Sequence, residues 1–338
     1  MSRILKKFLG IDRLSNSVAN LERASEGAAQ NRQDFSSLRV QNEILARDVE
    51  SLKLLCGRIA ARQSKALPAH AALAEAEFQV FSQWGEDGII QFLLAHVPVA
   101  NEVFVEFGVQ SYLESNTRFL LMNNLWAGLI MDGSEDWMAA VRASDLAWRH
   151  TLHAKAAWVT AENINELISS AGISGDIGIL SVDIDGMDYW VWKAVNGVQP
   201  RIVIAEYNSL FGRDVKVTPP YKPDFERTKA HHSNLFYGIS LAGIAQLGSE
   251  KGYTLVGTNS AGNNAFLVRN DLASVFPKRS ISESYRAARF REARGADGQL
   301  VFPTFVEAQA MIADCTVHDL STGTERPLKD VKGWRSAA

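Results

Sequence analysis

The chain has 338 residues, of which 46% are apolar and 22% charged, a balance that lets most of it bury a core. A formal net charge of −3 excludes a general affinity for nucleic acid, and two cysteines far apart in sequence, Cys56 and Cys315, exclude a disulfide framework or a cysteine zinc site. No run reaches membrane-spanning length, and the first residues carry no apolar stretch long enough for a secretory signal, so the expected location is cytoplasmic.

The charge is uneven. Residues 1–67 hold twelve Lys/Arg against seven Asp/Glu, so a basic arm precedes an acidic body. In residues 1–11, Ile4, Leu5, Phe8 and Leu9 share one helical face beside Arg3, Lys6 and Lys7. Such a face makes a weak contact with an anionic membrane surface, which would place the protein peripherally at the inner membrane face. Residues 12–66 contain no proline and predict a helix, interrupted near Ser25, Glu26 and Gly27, where the glycine weakens it. From Phe35 a heptad repeat is plain. Phe35, Asn42, Val49 and Cys56 take one position, and Leu38, Leu45, Leu52 and Ile59 the other. This a/d seam predicts a coiled coil and a homo-oligomer, with Asn42 setting register. One amphipathic helix packed on its own domain fits the same pattern. Pro68 ends the helix, residues 68–77 read as a linker, residues 78–275 as the main domain, and residues 276–338 as an extension packing on it.

Within the body, Ser82 is a candidate N-cap for a helix to about His96. Strands are predicted at 102–107, 128–131, 156–159, 177–182 and 201–205. Helices are predicted at 114–124, 135–143, 162–171, 187–196 and 235–251. Residues 253–256 and 264–268 form a hairpin across the turn at 259–262. This alternation means a mostly parallel sheet covered on both faces and closed by an antiparallel strand. In such a sheet the ligand site lies at the carboxyl ends of the strands.

The first strand ends at Glu106, Phe107 and Gly108, and the glycine would let a ligand approach the backbone. The turn at 114–117 offers free N–H groups suited to a carboxylate or phosphate. Asp132, at the end of the second strand, could accept hydrogen bonds from ribose hydroxyls. Equally, Asp132 to Ser134 could cap the next helix. After the fourth strand, Asp183, Asp185 and Asp188 crowd into six residues, and Glu206 and Asn208 follow the fifth. Carboxylates this close repel unless a cation or hydrogen-bond donors compensate them, and their hard oxygens suit Mg²⁺ or Mn²⁺. The structural alternative is that Asp188 caps a helix and Asp183 fixes a loop. His231 and His232 precede the helix after the fifth strand and are candidate bases, or solvent-exposed loop residues. A glycine-rich dinucleotide loop and a P-loop are both missing.

Taken in order, Ser82-Gln-Trp-Gly-Glu-Asp87, Val105-Glu-Phe-Gly108, Glu114-Ser-Asn-Thr117, Asp132-Gly-Ser134, Ser181-Val-Asp-Ile-Asp-Gly186, Tyr237-Gly-Ile-Ser-Leu-Ala242 and Asn264-Ala-Phe266 resemble the FkbM-like class I S-adenosylmethionine (SAM)-dependent methyltransferases over residues 78–320. The resemblance implies a Rossmann-like fold with a seven-stranded sheet and an antiparallel last strand. It also implies SAM as cofactor and O-methylation of a hydroxyl on a sugar, glycan or related small molecule. Carried over by position, Glu106 and Gly108 would border the methionine moiety, and Asp132 with Ser134 the ribose. Ala157 or Trp158 would border the adenine, and Asp183 the amino group or sulfonium. Asp183, Asp185, Glu206 and Asn208 would bind a divalent ion, with Asp185 standing where much of the family has Glu. Asp185, His231 and His232 would be the catalytic candidates. Two other functions fit the residues: a Rossmann-like domain for another nucleotide, and an oligomeric coiled-coil scaffold carrying a silent domain. The missing glycine-rich loop argues against the first. The costly carboxylate cluster argues against the second.

Overall fold

A computed structural model describes residues 11–289 and 292–334. Residues 1–10, which include nearly all of the expected membrane-contacting stretch, lie outside the described residues. The chain divides into two units at Cys56 and Gly57.

The described part of the first unit is helix. Residues Ile11–Lys65 form one element, unbroken at Gly27. Phe35, Leu38, Leu45, Val49 and Leu52 on its seam are between 53% and 69% exposed. Among the described residues no helix is long and apolar enough to cross a membrane.

The second unit starts earlier than the predicted boundary at 67, because the last helical turns carry small residues that pack. Ala61 is buried, and Ser64 Oγ donates to the Ala76 carbonyl. A side chain at Gly57 would collide with Val80 and Phe119. Residues 68–77 are not a free linker. They contain a short helix, Leu73–Ala76, and Ala71, Leu73 and Ala76 lie in the core.

The main sheet has seven strands: β1 (Val103–Phe107), β2 (Ala127–Asp132), β3 (Leu152–Ala156), β4 (Gly175–Val182), β5 (Val198–Glu206), β7 (Tyr253–Thr258) and β8 (Asn264–Arg269). The two-residue β6 (Val217–Thr218) lies outside it. Strand order is β3-β2-β1-β4-β5-β8-β7. All pairs from β3 to β5 are parallel, and β8 runs antiparallel to both neighbours. This is the strand order of the Rossmann-like class I methyltransferase fold. Near-continuous apolar strands such as Ile177 to Val182 are buried on both faces, as a covered parallel sheet requires.

Several predicted elements shift. The helix expected from Ser82 begins at Glu86. Ser82 instead exchanges hydrogen bonds with Asp87, whose Oδ2 also accepts from the backbone N–H groups of Val80, Phe81 and Ser82. Residues 114–117 are a loop, and only Leu120–Asn124 forms a π-helix. The third strand lies four residues before its predicted start. The helix expected from 235 runs Leu241–Glu250, capped by Ser240. Residues 276–334 add a strand, Thr316–Asp319, which pairs with β6 and with Thr324–Pro327. A separate apolar cluster under this region includes Phe211, Phe236, Ile312 and Leu328.

Candidate active site

Parallel register explains why the acidic residues meet. Ala156 pairs with Asp132 on β3 and β2. Met131 pairs with Phe107, Phe107 with Val182, and Val182 with Ala205. The next residue on each strand is Asp132, Gly108, Asp183 and Glu206, so these four lie in one row with Ala156 across the carboxyl edge. A cavity of about 490 Å³ opens there. Its walls include Gly108, Gln110, Asp132, Ser134, Ala157, Trp158, Asp183, Asp185, Met187, Phe225, Arg227 and Asn234. The volume is ordinary for a small-molecule site.

At one end, Asp132 Oδ2 accepts from the Gln110 N–H at 2.7 Å and Oδ1 from the Ser134 N–H at 2.8 Å. Ser134 Oγ accepts from the Trp137 N–H and caps Glu135–Ala143. Ser134 therefore does what its helix-cap reading requires while lining the cavity. Trp158 is half exposed and held by its indole N–H on the Pro223 carbonyl at 2.6 Å.

Glu106 in β1 and Gly108 just after it are also tied into the fold. The free N–H groups of the 115–117 loop are taken by the chain's own Glu106. Its carboxylate accepts from Ser115 Oγ, from the N–H groups of Asn116 and Thr117, and from Thr117 Oγ1. Burial still raises the Glu106 pKa, with these donors acting against the shift. Gly108, at φ +81°, admits backbone rather than ligand alone. A Cβ there would lie 1.6 Å from the Asp183 carbonyl oxygen.

At the other end, Asp183, Asp185 and Glu206 each offer an oxygen within 4.8 Å of the others. Burial, then the neighbouring carboxylates, push Asp183 and Glu206 well above the usual carboxylate range. Glu206 is 8% exposed, and its Oε2 is a buried acceptor with no hydrogen-bond partner among the described residues. Asp188 is spent on structure, accepting from the N–H groups of Ile184 and Gly186. Asp185 sits at φ +56°, a left-handed conformation uncommon for this residue. Gln110 and Asn234 on the cavity wall share that conformation, as strained backbone gathered at a site would.

The positive charge that the cluster demands comes from Arg227. Its Nη1 donates to Asp185 Oδ1 at 2.6 Å and its Nε to the Asn234 carbonyl at 2.7 Å. The guanidinium lies 3.9 Å from the Tyr237 ring centroid. The acidic crowding signalled that some cation was needed. It could not say which basic residue of the irregular 209–234 segment would supply it.

Three expected site residues are engaged elsewhere. Asn208 is tied into the fold: Oδ1 accepts from the Leu210 N–H and Nδ2 donates to the Leu235 and Tyr237 carbonyls. The His231 and His232 rings touch at a tilt of 42° with centroids 4.2 Å apart, His231 Nδ1 lies 2.7 Å from Ser233 Oγ, and neither ring lines the cavity. For a metal ion the remaining donors fit in kind and spacing: three carboxylates, one with an unpartnered oxygen, as Mg²⁺ or Mn²⁺ prefers.

Burial also gives a pH dependence. It raises Asp87 and Asp188 to about 6 despite their backbone hydrogen bonds. Between the ordinary value near 4 and about 6, the folded chain holds protons that the unfolded chain releases. Stability should therefore rise as pH falls from 7.5 to 5.5. His150 and His231 are lowered, chiefly by burial, and oppose this rise weakly because both remain partly exposed. Thermal unfolding across that range should show the increase, and Asp87→Asn should flatten it. A midpoint that falls over the same range would contradict the assignment.

No protein-family model matches the chain, and no curated protein matches it. Among solved structures, the N-terminal domain of EvdMO1 with SAH bound is 12% identical. That match covers 66% of this chain and 94% of that one, with a TM-score of 0.36. An O-methyltransferase family protein from Burkholderia thailandensis is 13% identical over 61% of this chain and 59% of that one, with a TM-score of 0.31. The class I fold is shown by strand order and register.

Proposed function

We propose that the chain is a SAM-dependent O-methyltransferase of the FkbM-like kind, acting on a hydroxyl of a sugar, glycan or related small molecule. One observation carries this reading: a single cavity joins Asp132 and Trp158 to Asp183 and Asp185. Asp132 would hold the ribose hydroxyls, Trp158 and Ala157 the adenine, and the backbone around Gly108 the methionine end. The acceptor hydroxyl would lie against Asp183 and Asp185. In the transfer, the acceptor oxygen forms a bond to the methyl carbon as the carbon–sulfur bond breaks, leaving S-adenosylhomocysteine. The hydroxyl proton passes to the Asp183–Glu206 pair, two neighbouring carboxylates at the carboxyl edge of the sheet. Arg227 orients Asp185 and balances the cluster. Asp183, Asp185 and Glu206 would hold Mg²⁺ or Mn²⁺, which when bound polarises the hydroxyl. A homo-oligomer assembled through the arm belongs to the same reading.

Calorimetry of metal-free protein with SAM tests the proposal. Binding is expected without metal. It should weaken about 100-fold in Asp132→Ala, the loss of two hydrogen bonds to a charged acceptor. Mg²⁺ should bind at the acid cluster with little change in SAM affinity. Folded protein that binds no SAM under any condition would overturn the reading and favour the scaffold alternative.

A further inference from the structure

Among the described residues the apolar seam of the long helix is exposed, and the charges beside it say what fits it. From Phe35 to Cys56, the a positions are Phe35, Asn42, Val49 and Cys56, and the d positions are Leu38, Leu45 and Leu52. Every one is exposed. An exposed apolar stripe of this length marks an interaction surface. Beside it, the g positions are Asp34, Gln41, Asp48 and Leu55, and the e positions are Arg39, Ala46 and Lys53.

We propose that residues 34–56 pair with the same segment of a second copy as a parallel, in-register, two-stranded coiled coil. In that arrangement a g residue meets the e residue five positions later on the other helix. Asp34 then faces Arg39 and Asp48 faces Lys53 of the second copy, while Gln41 meets Ala46 and Leu55 meets Ala60. No like charges oppose one another. An antiparallel pair sets g against g and e against e, so aspartates meet aspartates and Arg39 and Lys53 meet each other. It also sets Asn42 against a leucine, leaving a buried amide unpaired. In the parallel pair Asn42 meets its own counterpart and hydrogen-bonds to it. Val49 at a with Leu at d favours two strands over three or four. This inference rests on the coiled-coil reading of the arm and not on the chemistry of the cavity.

The full chain in sedimentation equilibrium should give twice the 37.2 kDa chain mass. Parallel register places Cys56 opposite Cys56, within disulfide reach. Copper–phenanthroline oxidation should therefore cross-link the dimer in the wild type and in Cys315→Ser, but not in Cys56→Ser. Arg39→Asp with Lys53→Asp should weaken association at least about tenfold, and adding Asp34→Arg with Asp48→Lys should restore it. A monomer would overturn the coiled coil. A trimer or tetramer would overturn the two-stranded pairing. A dimer without the Cys56 cross-link would overturn the parallel register. None of these outcomes bears on SAM binding, which is measured separately.

Discussion

Gly108→Ala is expected to abolish SAM binding and to lower the thermal midpoint by on the order of 10 °C. Two costs combine. The residue sits at φ +81°, where an alanine is strained by about 1 kcal/mol or more. The added methyl would also stand 1.6 Å from the Asp183 carbonyl oxygen, so the loop after β4 must move. That overlap adds about 1–3 kcal/mol and displaces Asp183 and Asp185 together. Gly172 separates the two effects, because its φ is +74° but nothing lies within 4 Å of an added Cβ. Gly172→Ala should cost only the strain and leave SAM binding intact. Equal losses in the two variants, by differential scanning calorimetry, would show that the close approach at Gly108 is unimportant.

Glu206→Gln should cut methyl transfer by about 10²–10⁴-fold, the usual range for losing a proton acceptor. The same substitution should raise the thermal midpoint by about 2–4 °C, as removing a costly buried charge does. The carboxylate is buried beside Asp183 and has an oxygen with no hydrogen-bond partner. An amide of the same shape relieves the repulsion and removes the base. The assay follows labelled methyl from SAM into whichever hydroxyl acceptor the wild-type chain modifies, with SAM affinity measured alongside. Unchanged transfer with unchanged affinity would remove Glu206 from the chemistry. A gain in stability in a chain whose wild type transfers no methyl group would support the scaffold reading. Arg227 gives the contrasting case. Its removal leaves the acid cluster without the cation bound to Asp185, so Arg227→Ala should lose both stability and turnover.

Both predictions rest on features of unequal visibility. The alternation of apolar runs and helices, read along the chain, determined the class of fold and the antiparallel closing strand. Because parallel strands place their carboxyl ends on one edge, it also determined that Asp132, Asp183 and Glu206 would meet there. Residues adjacent in register come together whatever the loops do. The heptad seam was legible for the same reason, since a helical period needs no tertiary information.

What lay outside that reach depends on contacts between segments distant in sequence. Glu106 looked available to a ligand until the 115–117 loop folded back and used its oxygens. Asn208 looked like a ligand until the Leu235 and Tyr237 carbonyls claimed its amide. His231 and His232 stood on the right edge by sequence but pack against each other outside the cavity lining, and Arg227 takes the position beside the acids. A hydrogen-bonding side chain has few lone pairs and donors to give. Which neighbour reaches them first is decided by the path of irregular loops, and that path is set only when the whole core has packed.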